Sequence, residues 1–158
     1  MKLRSNKGFS LVELIIVIAI LGIIAVIAVP NLTNIQKNSQ VNADIRTAES
    51  IGKAVRIWLT DSANVTERNT REGAINGYKK LTEINNSIDT YISTAYKPGA
   101  KSNTDYYIHL ANDVIYVIIA DSTPTAIPTA IYKINAGSVQ YGLAYQEGKS
   151  SLEESIWC

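Results

Sequence analysis

Cysteine is nearly missing. A single one, Cys158, occurs in 158 residues, which excludes an intrachain disulfide and any metal site built from several thiolates. Histidine is equally scarce: His109 stands alone, so two-histidine metal centres and the H-E-x-x-H arrangement are excluded. His109 alternates within a strand pattern and reads as an ordinary sheet residue. An excess of one charge is missing too, since 15 Lys and Arg face 14 Asp and Glu, and a net charge of +1 gives no broad attraction for nucleic acid. No GxGxxG, GxxxxGK or GxSxG pattern occurs. Asp105, Asp113 and Asp121 are spread too widely for a contiguous calcium loop. The expectation is a non-enzymatic chain with no cofactor and no metal. With 46% hydrophobic residues it is long enough to bury one core.

What the chain does have is one long apolar run. Residues 14–29, LIIVIAILGIIAVIAV, carry no polar side chain, and no charge occurs between Glu13 and Lys37. A helix over residues 9–29 spans roughly 30 Å at about 1.5 Å per residue, the thickness of a bilayer's hydrocarbon core. Lys2, Arg4 and Lys7 precede it and hold that end in the cytoplasm, so the remainder is directed outward. The run ends AVIAVPN, a poor site for ordinary signal-peptide removal.

A different cleavage signal lies before the run, at KGFSLVELI, residues 7–15. This resembles the type III signal of the type IV pilin family: a short basic leader, Gly8, then Phe9, a long apolar helix and a glutamate five residues after the cut. Phe9 is the only phenylalanine in the chain. The resemblance implies a prepilin peptidase/methyltransferase that cuts between Gly8 and Phe9 and N-methylates Phe9. It divides the chain into a leader (1–8), a transmembrane and filament-core helix (9–35) and a globular head (36–158). It also implies a homopolymer with other pilin subunits, an assembly platform and ATPases, a single-pass precursor in the cytoplasmic membrane, and an extracellular filament serving adhesion, surface motility and biofilm formation. The missing cysteine pair is similar to pilins of Gram-positive bacteria such as clostridia, and leaves packing alone to hold the sheet. A pseudopilin of a secretion or competence system shares the same N-terminus; a minor pilin and a monomeric membrane-anchored binding module are the other readings.

Glu13 is the costly residue of that helix. A carboxylate in a membrane helix costs on the order of 2.5–3.5 kcal/mol at the centre, somewhat less near an interface. No Lys, Arg or His follows within 23 residues. Cleavage after Gly8 would supply a cation, the new α-amino group of Phe9, whose reference pKa is about 7.7–8.

Beyond Pro30, Leu32, Ile35, Ile45, Ala48, Ile51, Val55 and Trp58 recur at three-to-four spacing. Lys37, Asp44, Glu49, Lys53 and Arg56 are assigned to the opposite, solvated side, with Glu49 and Lys53 in the favourable i,i+4 order. One helix from about residue 9 to 59 is expected, apolar all round at first and then amphipathic, with Gly22 and Pro30 as weak points and a bend at Pro30. Residues 61–100 read as a connecting region, with short helical pieces at 78–84 and 86–92. Four strands are expected at 106–111, 114–120, 130–135 and 139–146, with turns at Asn112-Asp113 and Ala136-Gly137. The second strand, apolar on both faces, should be central. Six of nine tyrosines fall in these strands, where aromatic packing is ordinary. Sequons occur at Asn31, Asn64 and Asn85. The fold class is α+β: a long N-terminal helix packed on an antiparallel sheet of about four strands, as the resemblance to type IV pilins also implies.

Overall fold

The computed structural model describes residues 9–84, 86–135 and 138–148. The leader, the turn at Ala136-Gly137, Asn85 and Cys158 lie outside these residues. The chain divides into two compact units, one up to Gln36 and one from Lys37 onward. Helix α1 spans Leu11–Thr60, 50 residues, and its backbone is helical through Pro30 without interruption. Pro30 still withdraws one donor, because it has no N–H to offer the Val26 carbonyl.

In the second unit, Val41, Asp44, Ala48, Ile51, Val55, Trp58 and Leu59 make one buried stripe of α1. Leu32 and Ile35, assigned by spacing to the same apolar face, are instead 55% and 63% exposed. The helix closes with hydroxyls on its last carbonyls: Thr60 Oγ1 donates to Arg56 O at 3.0 Å and Ser62 Oγ to Leu59 O at 3.0 Å.

The region expected to connect contains a second helix, α2, at Val65–Ala74, none of whose residues is buried. Hydrophobic periodicity could not reveal it, because polar pairing builds it. The Asn64 side chain accepts from Glu67 N–H at 2.8 Å while Glu67 Oε2 accepts from Ala63 N–H at 2.9 Å. Arg68 and Glu72 pair at 2.7 Å, and Arg71 pairs with Glu67, each one turn apart. Arg71 also lies over the Trp58 ring and donates to the Trp58 carbonyl, which ties α2 to the end of α1. Of the two helical pieces expected next, the first is a two-residue strand, β1 (Lys79–Lys80), running into a 3-10 turn at Leu81–Glu83. The second is a 3-10 helix at Asn86–Thr90.

Strands β2 (Asp105–Ala111) and β3 (Val114–Ala120) form the expected hairpin. Its two turn residues, Asn112 and Asp113, have φ of 51° and 60°, the left-handed pair that a tight hairpin requires and that Asn and Asp tolerate. The last two expected strands are divided differently. Strands β4 (Lys133–Asn135) and β5 (Ser138–Gln140) pair with each other as a separate ribbon, while β6 (Gly142–Gln146) joins the main sheet. The antiparallel order is β1-β2-β3-β6, so β3 is internal as its double-sided apolar pattern demands. A register shift between Val117 and Ile118 interrupts the alternation of faces where β6 pairs with β3, and Leu143 and Ala144 are both buried.

One face of the sheet packs on α1: Tyr106, Ile108, Ile115, Val117 and Ile119 share a core with Ile51, Val55, Trp58 and Leu59. The opposite face carries Tyr107, Ile118 and Leu143 with Tyr78 and Tyr116 beside them. His109 stacks on Tyr78 at 4.4 Å between ring centroids, consistent with a sheet residue. Gly142 is needed for a close approach: a Cβ there would stand 2.2 Å from the Ala130 carbonyl oxygen. That contact lets Leu143 N–H donate to Ala130 O at 2.9 Å and Tyr132 N–H to Leu143 O at 3.0 Å, which covers part of the outer edge of β6.

Candidate processing and assembly segment

Of the residues singled out for processing and assembly, Lys2, Arg4, Lys7 and Gly8 precede the described residues. Phe9 and Ser10 are not helical, and α1 begins at Leu11, so the residue after the expected cut lies just outside the first turn. Ser10 is the residue that caps α1. Its carbonyl accepts from Leu14 N–H at 3.2 Å, and its own N–H donates to Glu13 Oε2 at 2.9 Å. Glu13 therefore reaches back to the capping residue from the third helical position, one half of a capping box, where the helix dipole also favours an anion. The sequence carries this signal as Ser10-Leu-Val-Glu13, the S-x-x-E spacing before an apolar run. Reading Glu13 only as a charge in need of a cation misses it.

From Phe9 to Val29 every large apolar side chain is between 46% and 85% exposed. Burial of such side chains is worth about 1.5–3 kcal/mol each, so a helix that shows them on all faces is built for a non-aqueous surrounding. It is long and apolar enough to cross a membrane.

In the second unit the structure corrects the placement of two charged residues. Asp44, assigned to the solvated side of α1, is 5% exposed. Its Oδ1 accepts from Gly99 N–H at 2.7 Å, and its Oδ2 accepts from Ala100 N–H at 3.0 Å and from the Tyr132 hydroxyl at 2.8 Å. The Tyr106 hydroxyl donates to the Asp44 carbonyl at 3.3 Å. Burial and the neighbouring Asp44 carboxylate push both tyrosine hydroxyls well above their ordinary range. Asp44 thus fastens the loop at Gly99 and the segment at Tyr132 to the helix. Its position gave the signal, three residues after Val41 and four before Ala48, in the middle of the buried stripe.

Arg56 is the second correction. Its side chain is 24% exposed and clasps Glu147 through Nε at 2.6 Å, the Asp113 carboxylate at 3.0 Å and the Asp113 carbonyl at 2.6 Å. The guanidinium holds the Glu147 carboxyl below the usual carboxylate range, and Glu147 raises Arg56 in return. Glu49 and Lys53, by contrast, pair on the exposed side at 2.6 Å as their spacing predicts. Of the three aspartates weighed for calcium, Asp105 is held between Lys97 and Lys80 at 2.9 and 3.3 Å, and Asp113 faces Arg56.

Comparison with known proteins bears on the N-terminus. Residues 3–29 match the family described as the prokaryotic N-terminal methylation motif. No curated protein and no solved structure matches the chain. The motif supports a type IV pilin-like prepilin or pseudopilin precursor, points to a structural pilin-type protein, and implies processing by a prepilin peptidase followed by pilin-type assembly. The apolar helix fits a membrane-anchored precursor.

Proposed function

We propose, from the type IV pilin-like prepilin as premise, that this chain is the main structural subunit of a type IV pilus. The leader 1–8 is removed at the Gly8–Phe9 bond, Phe9 is N-methylated, and residues 9–35 leave the bilayer to form the core of an extracellular filament that carries the heads, residues 36–158, outward. The observation that carries this reading is the coincidence of the methylation motif at residues 3–29 with a helix exposed on every apolar face. Other pilin subunits, the assembly platform and its ATPases are the partners, and adhesion, surface motility and biofilm formation are the uses.

In this reading Glu13 has two successive tasks. In the precursor it caps α1 through the Ser10 amide. Cleavage then creates a charged amine on Phe9, the residue next to that amide, and the carboxylate meets it or the amine of a neighbouring subunit in the apolar bundle. Before cleavage that nitrogen is an uncharged peptide group, so the precursor waits in the membrane unpolymerised. Breaking one side of a buried pair costs roughly 3–5 kcal/mol, which lowers subunit addition by about two or more orders of magnitude. Pro30, just beyond the membrane-length run, is where the helix has the slack of one missing hydrogen bond.

The test is the intact mass of the surface protein, expected to show loss of residues 1–8 and one added methyl group. Gly8→Val should leave a full-length membrane-bound precursor and no filaments, because a β-branched residue resists the extended, closely approached backbone that a peptidase needs. Glu13→Ala should be cut, keep a folded head and fail to polymerise. Abundant normal filaments from either variant would refute the corresponding step.

A further inference from the structure

The face of the sheet turned away from α1 has unmet hydrogen-bonding capacity. Strand register sets His109, Tyr116 and Gln146 in one row across β2, β3 and β6. Tyr78, just before β1, extends that row: its ring stacks on His109 at 4.4 Å between centroids, and the His109 and Tyr116 rings stand 6.4 Å apart. On the same face, one row further along, lie Tyr107, Ile118 and Leu143, all buried. Two polar atoms of β2 are withdrawn from water here, Tyr107 Oη and His109 Nδ1, and neither has a hydrogen-bond partner among the described residues. Buried polar atoms of folded proteins are paired in the great majority of cases. The missing partners point to a further layer on this face.

The chain leaves the sheet at the end of the same row. Strand β6 stops at Gln146, opposite Tyr116; Glu147 N–H then donates to Ile115 O at 3.0 Å, and Gly148 turns with φ of 81°. Residues 149–158, KSSLEESIWC, follow and lie outside the described residues. A segment of that length spans about 15 Å as a helix and roughly 33 Å when extended. The sheet is about 14 Å across at the usual strand spacing, so either form reaches its far side. The composition suits the face. Leu152, Ile156 and Trp157 offer apolar surface to the aromatic row, while the serine hydroxyls and the indole N–H offer partners to Tyr107 Oη and His109 Nδ1. Towards β1, Lys80 and Lys97 share the single Asp105 carboxylate, which leaves one positive charge in excess for Glu153 and Glu154 to meet. The loop before β4 is committed elsewhere, with Ile131 beside Leu143 at the edge of β6 and the Tyr132 hydroxyl on Asp44.

We propose that residues 149–157 fold back over the outer face of their own sheet, lie along the row of Tyr78, His109 and Tyr116, and supply the hydrogen-bond partners of Tyr107 and His109. The strap covers aromatic rings that otherwise offer an apolar docking surface to other molecules. It is an interaction within the second unit and does not depend on leader processing.

The experiment uses the full-length chain in detergent at neutral pH. His109 is the only histidine, so its acylation by diethyl pyrocarbonate, followed by absorbance of the acylated imidazole, reads one site on this face. A strap docked nine-tenths of the time slows the reaction about tenfold. A chain shortened to end at Gly148 and the double variant Leu152→Ser/Trp157→Ser should both lose that protection, and the parent's rate should not change on dilution. The double variant alters no described residue, so it decides the matter where the shortened chain fails to fold. In it Trp58 is the sole tryptophan and reports on the core by its emission. Faster His109 acylation with Trp58 still emitting from apolar surroundings is the expected result. Equal rates in parent and double variant, or acceleration only together with loss of the Trp58 environment, overturn the inference. Protection that disappears on dilution overturns it too, and assigns the covering segment to a second copy.

Discussion

Asp44→Ala is the sharpest test of how the second unit holds together. The substitution leaves three donors, the Gly99 and Ala100 N–H groups and the Tyr132 hydroxyl, without the acceptor they share. A buried donor stripped of its partner costs about 1–3 kcal/mol. Full additivity is not expected, because the exposed side of the loop at Gly99 can relax toward water. A loss of about 3–5 kcal/mol follows, a large part of the roughly 5–15 kcal/mol that holds a domain folded. At about 4 °C per kcal/mol for a unit of this size, the melting temperature drops by on the order of 10–20 °C. Asp44→Asn should lie between the two: an amide NH2 in place of Oδ2 sets donor against donor at Ala100 N–H, whereas the Tyr132 hydroxyl can rotate and accept. Both variants should also bring the Tyr132 and Tyr106 hydroxyls down toward their ordinary titration range, read by ultraviolet absorbance. The assay is urea unfolding followed by circular dichroism. If Asp44→Ala stayed within 0.5 kcal/mol of the parent, the reasoning about Asp44 as a fastening point would be wrong; that margin is about the scatter of an ordinary surface substitution.

A fragment starting at Lys37 should be soluble, folded and monomeric by sizing and circular dichroism, since the core of the second unit draws on α1 only from Val41 onward. Gly142→Ala should destabilise by about 1–3 kcal/mol or more, because the new Cβ meets backbone at Ala130 that cannot swing aside; a midpoint equal to the parent's would contradict the close approach. Stability should fall in acid through Glu147: its folded pKa is depressed by Arg56, so its contribution is complete above the ordinary carboxylate value of about 4.3 and is lost as pH falls through the depressed one. Arg56→Gln should flatten that part of the profile, measured as urea midpoints between neutral pH and acid.

The long helix, the β2-β3 hairpin and the central place of β3 were legible because each rests on apolar periodicity or on a two-residue turn with its own chemistry. The N-terminal segment was legible because its motif is contiguous. Where the reading failed, polar groups do the building. Helix α2 is made by Asn64, Glu67 and Arg71 with nothing buried, a pattern that resembles a loop when only apolar spacing is counted. Asp44 was sent to solvent by its charge although its helical position lies on the buried stripe. The split of the last strand pair depends on the Gly142 approach to Ala130, a contact between residues twelve apart that no local pattern encodes.

Packing was expected to hold the sheet alone in the absence of a disulfide, yet two polar clasps join α1 to distant segments: Asp44 by hydrogen bonds to the Gly99 loop and Tyr132, and Arg56 by ion pairs to Asp113 and Glu147. Such closures form by collapse and proton equilibrium, without electron transfer. The second unit can therefore fold with no oxidant or thiol-exchange catalyst, and reductants that open cystine loops leave its closure untouched.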